Sequence, residues 1–119
     1  MSAKTHVTLL KDEIIIDSWD LYYTFENGLN FFGRATITNK RILFETKIQE
    51  CHQAMLAASE VFTNHTQNHV ILAKKHIKKV DCSKDSSGNK IFLVLKNGET
   101  HILDRKMLSI DKIAEALMN

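Results

Sequence analysis

From Trp19 through Leu21 and Tyr23 to Phe25, apolar residues recur at every second position, the period of a strand with one buried face. With Ile14-Ile15-Ile16 leading in, the pattern predicts a first strand over 13–25. Glu26-Asn27-Gly28-Leu29-Asn30 follows as a turn, because Asn and Gly tolerate the positive φ a hairpin requires. A return strand is expected over 31–37. Thr38-Asn39-Lys40 then separates it from a third strand over 42–46, whose branched and aromatic residues favour extended structure. These three strands form a meander.

The period changes at Ile48, Cys51, Met55, Leu56 and Ser59, which fall at helical spacing among the good helix formers Ala54, Ala57 and Ala58. A short helix near 48–60, within 48–62, is the reading, with the polar stretch 63–68 as the loop that returns the chain to the sheet. A short strand over 70–73 follows. Another opens with Ile77, Val80 and Cys82 and ends in a turn cluster over 84–89. Ile91-Phe92-Leu93-Val94-Leu95 reads as the most buried strand, and Asn97-Gly98 as a two-residue hairpin that pairs it with 99–103. Beyond Asp104-Arg105-Lys106 the residues Leu108, Ile113, Ala114 and Leu117, flanked by Ile110 and Met118, trace one apolar helical face, with Ser109 as its cap and Asp111 in its first turn.

At 119 residues with 44% hydrophobic content, the chain is sized for a single domain, 1–119, around one core. Sixteen Lys and Arg against fourteen Asp and Glu leave a formal charge of +2, too even for a protein that tracks a nucleic-acid backbone. Neither a secretory signal nor an apolar run approaching the roughly 20 residues of a membrane span is visible, so a cytoplasmic location is expected and Asn64-His65-Thr66 is a chance glycosylation sequon. Cys51 and Cys82 lack disulfide-framework or CxxC spacing and read as free thiols.

Gly33-Arg34-Ala35-Thr36-Ile37-Thr38-Asn39-Lys40-Arg41-Ile42-Leu43-Phe44 resembles the G-x-L-x-L/V-T-N-x-R-L-L-F segment of GRAM and related bacterial PH-like domains. Leu10-Lys11-Asp12-Glu13-Ile14-Ile15 is similar to the L-x-x-G-E-x-I/V start of such domains, with Asp12 where glycine is common. His76-Ile77-Lys78-Lys79-Val80 is similar to their I-P-L-x-x-I-x-x-V segment. The likeness spans nearly the whole chain and breaks at 49–68, an insertion between the third and fourth strands. It implies a mainly β, PH-like barrel of about seven antiparallel strands curled into two sheets, with a capping C-terminal helix. It also implies lipid or protein binding without catalysis.

PH-like domains that grip inositol phosphates do so with cations around the first hairpin loop. That loop carries none here, and Arg34, Lys40 and Arg41 are the nearest. The denser cluster is Lys74, Lys75, His76, Lys78 and Lys79, a candidate for an anionic membrane surface or acidic partner, although strand alternation would split it between two faces. The turn 38–41 has a sufficient structural explanation, since Thr and Asn side chains accept backbone N–H bonds and fix a reversal.

Among the six histidines, His65 and His69 stand four apart but lack a third ligand or an HExxH motif, so no metal or other cofactor is expected. Cys51-His52 are neighbours that on a helix point about 100° apart, and no converging base serves a nucleophile. The four glycines sit singly and form no phosphate-cradling loop. Aromatic residues concentrate in Trp19, Tyr22, Tyr23, Phe25, Phe31 and Phe32, and alternation must put part of that surface outside the core. An exposed Tyr22, Phe31 or Phe32 would mark a partner or self-association contact. The expectation is therefore a non-catalytic module that binds a protein partner or itself, with peripheral membrane or phosphoinositide binding as the alternative.

Overall fold

The computed structural model describes residues 9–26, 28–46, 63–66 and 69–118. The helix expected near 48–60, Cys51-His52 and the side chains of His65 and His69 lie outside the described residues. Strands run β1 (Ile15–Thr24), β2 (Asn30–Thr38), β3 (Arg41–Glu45), β4 (Thr63–Thr66), β5 (His69–Ala73), β6 (Ile77–Asp85), β7 (Gly88–Leu95) and β8 (Thr100–Asp104). A 3-10 turn, Lys74–His76, joins β5 to β6, and the helix α1 (Asp111–Met118) closes the described chain.

All ladders are antiparallel and build one eight-stranded sheet in the order β4-β5-β3-β2-β1-β8-β7-β6. The expected closed barrel is not formed: β4 and β6 remain edges, with no ladder between them among the described residues. The sheet nevertheless bends. α1 packs against β1, β2 and β6, yet β2 and β6 lie four steps apart in the order, about 19 Å across a flat sheet and well beyond a helix's width of about 10–12 Å. Curling is what lets one short helix touch both. Burying Ile113, Ala114, Ala116 and Leu117 on the same core as Leu21, Tyr23, Ile37, Phe44, Leu93 and Leu103 removes the apolar face of α1 from water.

On β1 alternation decides the core as the pattern predicts, with Leu21 and Tyr23 inside, and on β7 the apolar run also alternates, with Ile91, Leu93 and Leu95 buried and Phe92 and Val94 half-buried. β7 buries four of its eight residues, while β3 buries three in a row, Ile42, Leu43 and Phe44. β3 lies between β2 and β5, and Leu43 forms a second small buried cluster with Ile71. On the helix, Leu108 and Met118 are exposed while Ile110 is buried, because the helix starts at Asp111 and leaves Leu108 in the preceding loop. Ser109 does serve its start, its Oγ accepting the Asp111 N–H at 3.4 Å.

Residues 63–66, expected as loop, form β4 against β5, with Thr63 opposite Ile71 and Thr66 opposite His69. A polar strand is stable at an edge, where neither face must alternate, and threonine's branched Cβ suits it. Asn97-Gly98 does make a hairpin, but with a longer loop. The Leu95 N–H donates to the Glu99 carbonyl, the Gly98 N–H donates to the Leu95 carbonyl, and Gly98 has φ +96. Phe25, Gly28 and Leu29 repeat the arrangement, with Gly28 at φ +89. Each hairpin is closed by a glycine in the left-handed region.

Gly33 answers a different demand, because a Cβ there would overlap the Glu45 carbonyl oxygen and the Phe44 ring. Gly33→Ala should therefore cost about 3 kcal/mol through forced separation of β2 from β3. Gly98→Val, which meets no atom but must hold positive φ, should cost about 1–2 kcal/mol. Urea unfolding of both variants checks the order, and unchanged unfolding of Gly98→Val would refute the turn.

Candidate functional site

Of the residues singled out in the sequence, those of the 38–41 turn build a clasp. The Thr38 Oγ1 accepts the backbone N–H groups of Lys40 (3.0 Å) and Arg41 (2.8 Å) and donates to the Glu13 carboxylate at 2.6 Å. Arg41 meets the same carboxylate with two nitrogens, Nε at 2.9 Å and Nη2 at 2.7 Å. The Asn39 side chain accepts the Ile14 N–H and donates to the Asp12 carbonyl, and the Lys40 Nζ reaches the Lys11 carbonyl. Asp12 has φ +63, a left-handed conformation that aspartate tolerates better than most side chains. Arg41 and Lys40 thus hold the 10–14 segment in place.

The members of the basic cluster meet different surroundings. The Lys74 Nζ donates to the Ala116 carbonyl at 2.5 Å, satisfying the C-terminal turn of α1, and burial lowers its pKa. Lys78 is the unpaired residue of a bulge between Ile77 and Lys79, and Lys79 lies 3.4 Å from Asp81. Exposed lysines and a bulge on a sheet's outermost strand block its pairing with another chain. Lys75 is exposed on the 3-10 turn, where His76 is half-buried.

The aromatic residues sort by face. Tyr22 lies opposite Phe32 and Tyr23 opposite Phe31. Tyr23 is buried and Phe31 packs on the core edge-on to Phe25 (5.7 Å), whereas Tyr22 is half-buried against the 56% exposed Phe32, ring centroids 4.8 Å apart. Phe31 therefore packs on the core, while Tyr22 and Phe32 line a surface concavity. This is a groove of about 550 Å³ between β1 and the loop leading to α1, lined also by Trp19, Asp104, Arg105, Lys106, Met107 and Leu108. Met107 is 74% exposed and Leu108 58%. The Lys106 Nζ stands 4.8 Å from the Tyr22 ring centroid and 3.6 Å from Asp104, and Arg34 lies 3.3 Å from Asp20 on the groove wall. The alternation on β1 signalled Tyr22. Leu108 reads in the sequence as part of the apolar helical face, and Met107 belongs to no pattern.

A buried polar chain also escaped the sequence. The Tyr23 hydroxyl lies 2.7 Å from the His101 Nδ1, and the His101 Nε2 lies 2.8 Å from the Glu99 carboxylate. A carboxylate only accepts, so Nε2 carries the proton and Nδ1 accepts from tyrosine. Burial lowers the pKa of His101, with Glu99 opposing. Burial and Glu99 together raise that of Tyr23. Enclosure within the core makes this a structural network.

Among the described residues no group of three His, Cys, Asp or Glu side chains offers a metal site, Cys82 is a free exposed thiol, and no helix is long and apolar enough to cross a membrane. No family model matches the chain, and no curated protein does. It is similar to a solved structure described as the C-terminal domain of an unknown protein from Leishmania infantum, with a TM-score of 0.63 and 20% identity over 91% of this chain and 84% of that one. At that identity the likeness shows the fold alone.

Two pH responses follow. Burial alone would raise the pKa of Glu13, but Arg41, the Leu10 N–H and Thr38 outweigh it and bring it from 4.5 to about 2. The clasp's contribution is thus complete above pH 4.5 and disappears as pH falls toward 2. Glu13→Gln should cost about 3 kcal/mol at pH 7 and progressively less as that range is crossed, as urea midpoints of the two proteins would record. His101, lowered from 6.5, binds its proton more readily when unfolded, so stability should decline as pH drops below 6.5. His101→Asn should flatten the slope between pH 7.5 and 5.5.

Proposed function

We propose that this chain is a non-catalytic interaction module of the PH/GRAM type that docks a protein through the β1 groove. The fold assignment is supported by the strand order. Leaving aside edge strand β4, the sheet runs as a four-strand array, β5-β3-β2-β1, continued by the three-strand array β8-β7-β6, and finished by a C-terminal helix. That is the element order the sequence resemblance implies, with β1 as the strand where a curled two-sheet barrel would turn.

The observation that carries the functional reading is the concave apolar surface of Phe32, Met107 and Leu108 beside half-buried Trp19 and Tyr22, rimmed by Asp20, Arg34 and Lys106. Apolar patches with polar rims mark contact sites, and aromatic residues and Met are enriched in them. The 26–28 loop, by contrast, brings no cation to bind clustered phosphates.

Photo-crosslinking in native cells, with p-benzoylphenylalanine in place of Met107, tests this. Discrete protein adducts that vanish in the Phe32→Asp variant are expected, and an adduct of twice the chain's mass would identify a second copy. Absence of any protein adduct, or lipid adducts alone with vesicle binding that fades in salt, would overturn protein docking.

A further inference from the structure

The groove leaves two kinds of hydrogen-bonding capacity unused. β1 pairs with β2 from Ile15 to Thr24 but meets β8 only at Tyr22, Tyr23 and Thr24. From 15 to 21 its other side has no partner strand among the described residues, and the Ser18 N–H donates to the exposed Asp17 carboxylate at 2.7 Å, a bond that an added strand would replace. The edge strand β6 is blunted by lysines and a bulge, whereas this open stretch is bordered by Trp19, Tyr22, Met107 and Leu108.

Arg105 supplies the second. One of its donors, Nη1, bonds the Ser109 carbonyl at 2.9 Å, while the Nε–H is buried without an acceptor. A buried donor left unpaired is costly, so an acceptor that draws the guanidinium round is favoured. The groove's carboxylates are already countered, Asp20 by Arg34 and Asp104 by Lys106. Arg105 is left as the groove cation without a carboxylate partner among the described residues.

Resting on the protein-docking reading above, we infer that the groove takes an extended segment of a partner protein bearing an acidic side chain next to an apolar one. The segment adds a short strand to β1 over 18–21, about 13 Å of edge. Its carboxylate turns Arg105 into a paired, two-pronged contact, and its apolar side chain lies among Phe32, Met107 and Leu108. Main-chain pairing supplies affinity, and the two side chains supply choice of partner.

The probe is a phage-displayed library of random octapeptides, selected on the full chain. Enriched sequences should place Asp or Glu within two positions of Leu, Ile or Phe. A synthetic peptide of the leading sequence should bind at least tenfold more weakly to Arg105→Gln, and Arg105→Lys, which keeps the charge but not the fork, should fall between. Replacing the peptide's acid by its amide should weaken binding to the wild type yet change little on Arg105→Gln. Binding should slow amide exchange within 18–21. Enrichment without acids, equal affinity for Arg105→Gln, or slowed exchange on β6 instead would each overturn the inference. If protein adducts at Met107 persist alongside such a result, only the peptide assignment falls. If both are lost, protein docking itself falls.

Discussion

A strand shared by two diverging arrays of a sheet pairs with each along a different part of its length. β1, ten residues long, serves β2 throughout but β8 at three positions only, and the remaining architecture follows from that mismatch. Beyond Leu21 the sheet is continuous through β1 to β8. Before it, the two arrays part, the chain leaving β8 must cross the gap, and the helix it enters is brought back against β1, β2 and β6. The groove lies where they part. Fold and candidate site therefore share one cause.

Polar side chains fix the two ends of this arrangement. At one, the Glu13, Thr38 and Arg41 cluster clamps the approach to β1 onto the β2–β3 turn. Such a pair, taken from water, contributes little net energy, but removing one partner is severe, so it favours one arrangement over its rivals. At the other, Tyr23, His101 and Glu99 link β1 to β8 through the core, where rings of Phe25 and Phe44 surround the tyrosine. Between these anchors β1 has little freedom to slide. That matters for a strand whose one-residue slip would turn Tyr23 outward and Tyr22 inward.

Much of this was legible in the chain. Period-two alternation located β1, because burial of one face acts on every second side chain alike, and the apolar run Ile91–Leu95 located β7. The Asn-Gly pairs located two hairpins, though not their loop length, since a left-handed glycine suits both a two-residue loop and the longer one found here. β4 was illegible because an edge strand of Thr-Asn-His-Thr needs no apolar side. The members of the basic run 74–79 have surroundings that the sequence does not convey. A 3-10 turn, a bulge and a helix carbonyl give its members separate tasks. Arg105 and Met107 carried no local signal at all, since their meaning comes from a gap between strands distant in sequence.

Asn97 illustrates how a turn's hydrogen bonds reach into the protein's chemistry over time. An asparagine before glycine is prone to lose ammonia when the following amide nitrogen attacks its side-chain carbon. Here that nitrogen is committed to the Leu95 carbonyl, while the Asn97 side chain accepts the Glu99 N–H and donates to the Glu99 carboxylate. Ring closure would have to break these bonds together, so the folded hairpin shields its own weakest linkage from spontaneous ageing.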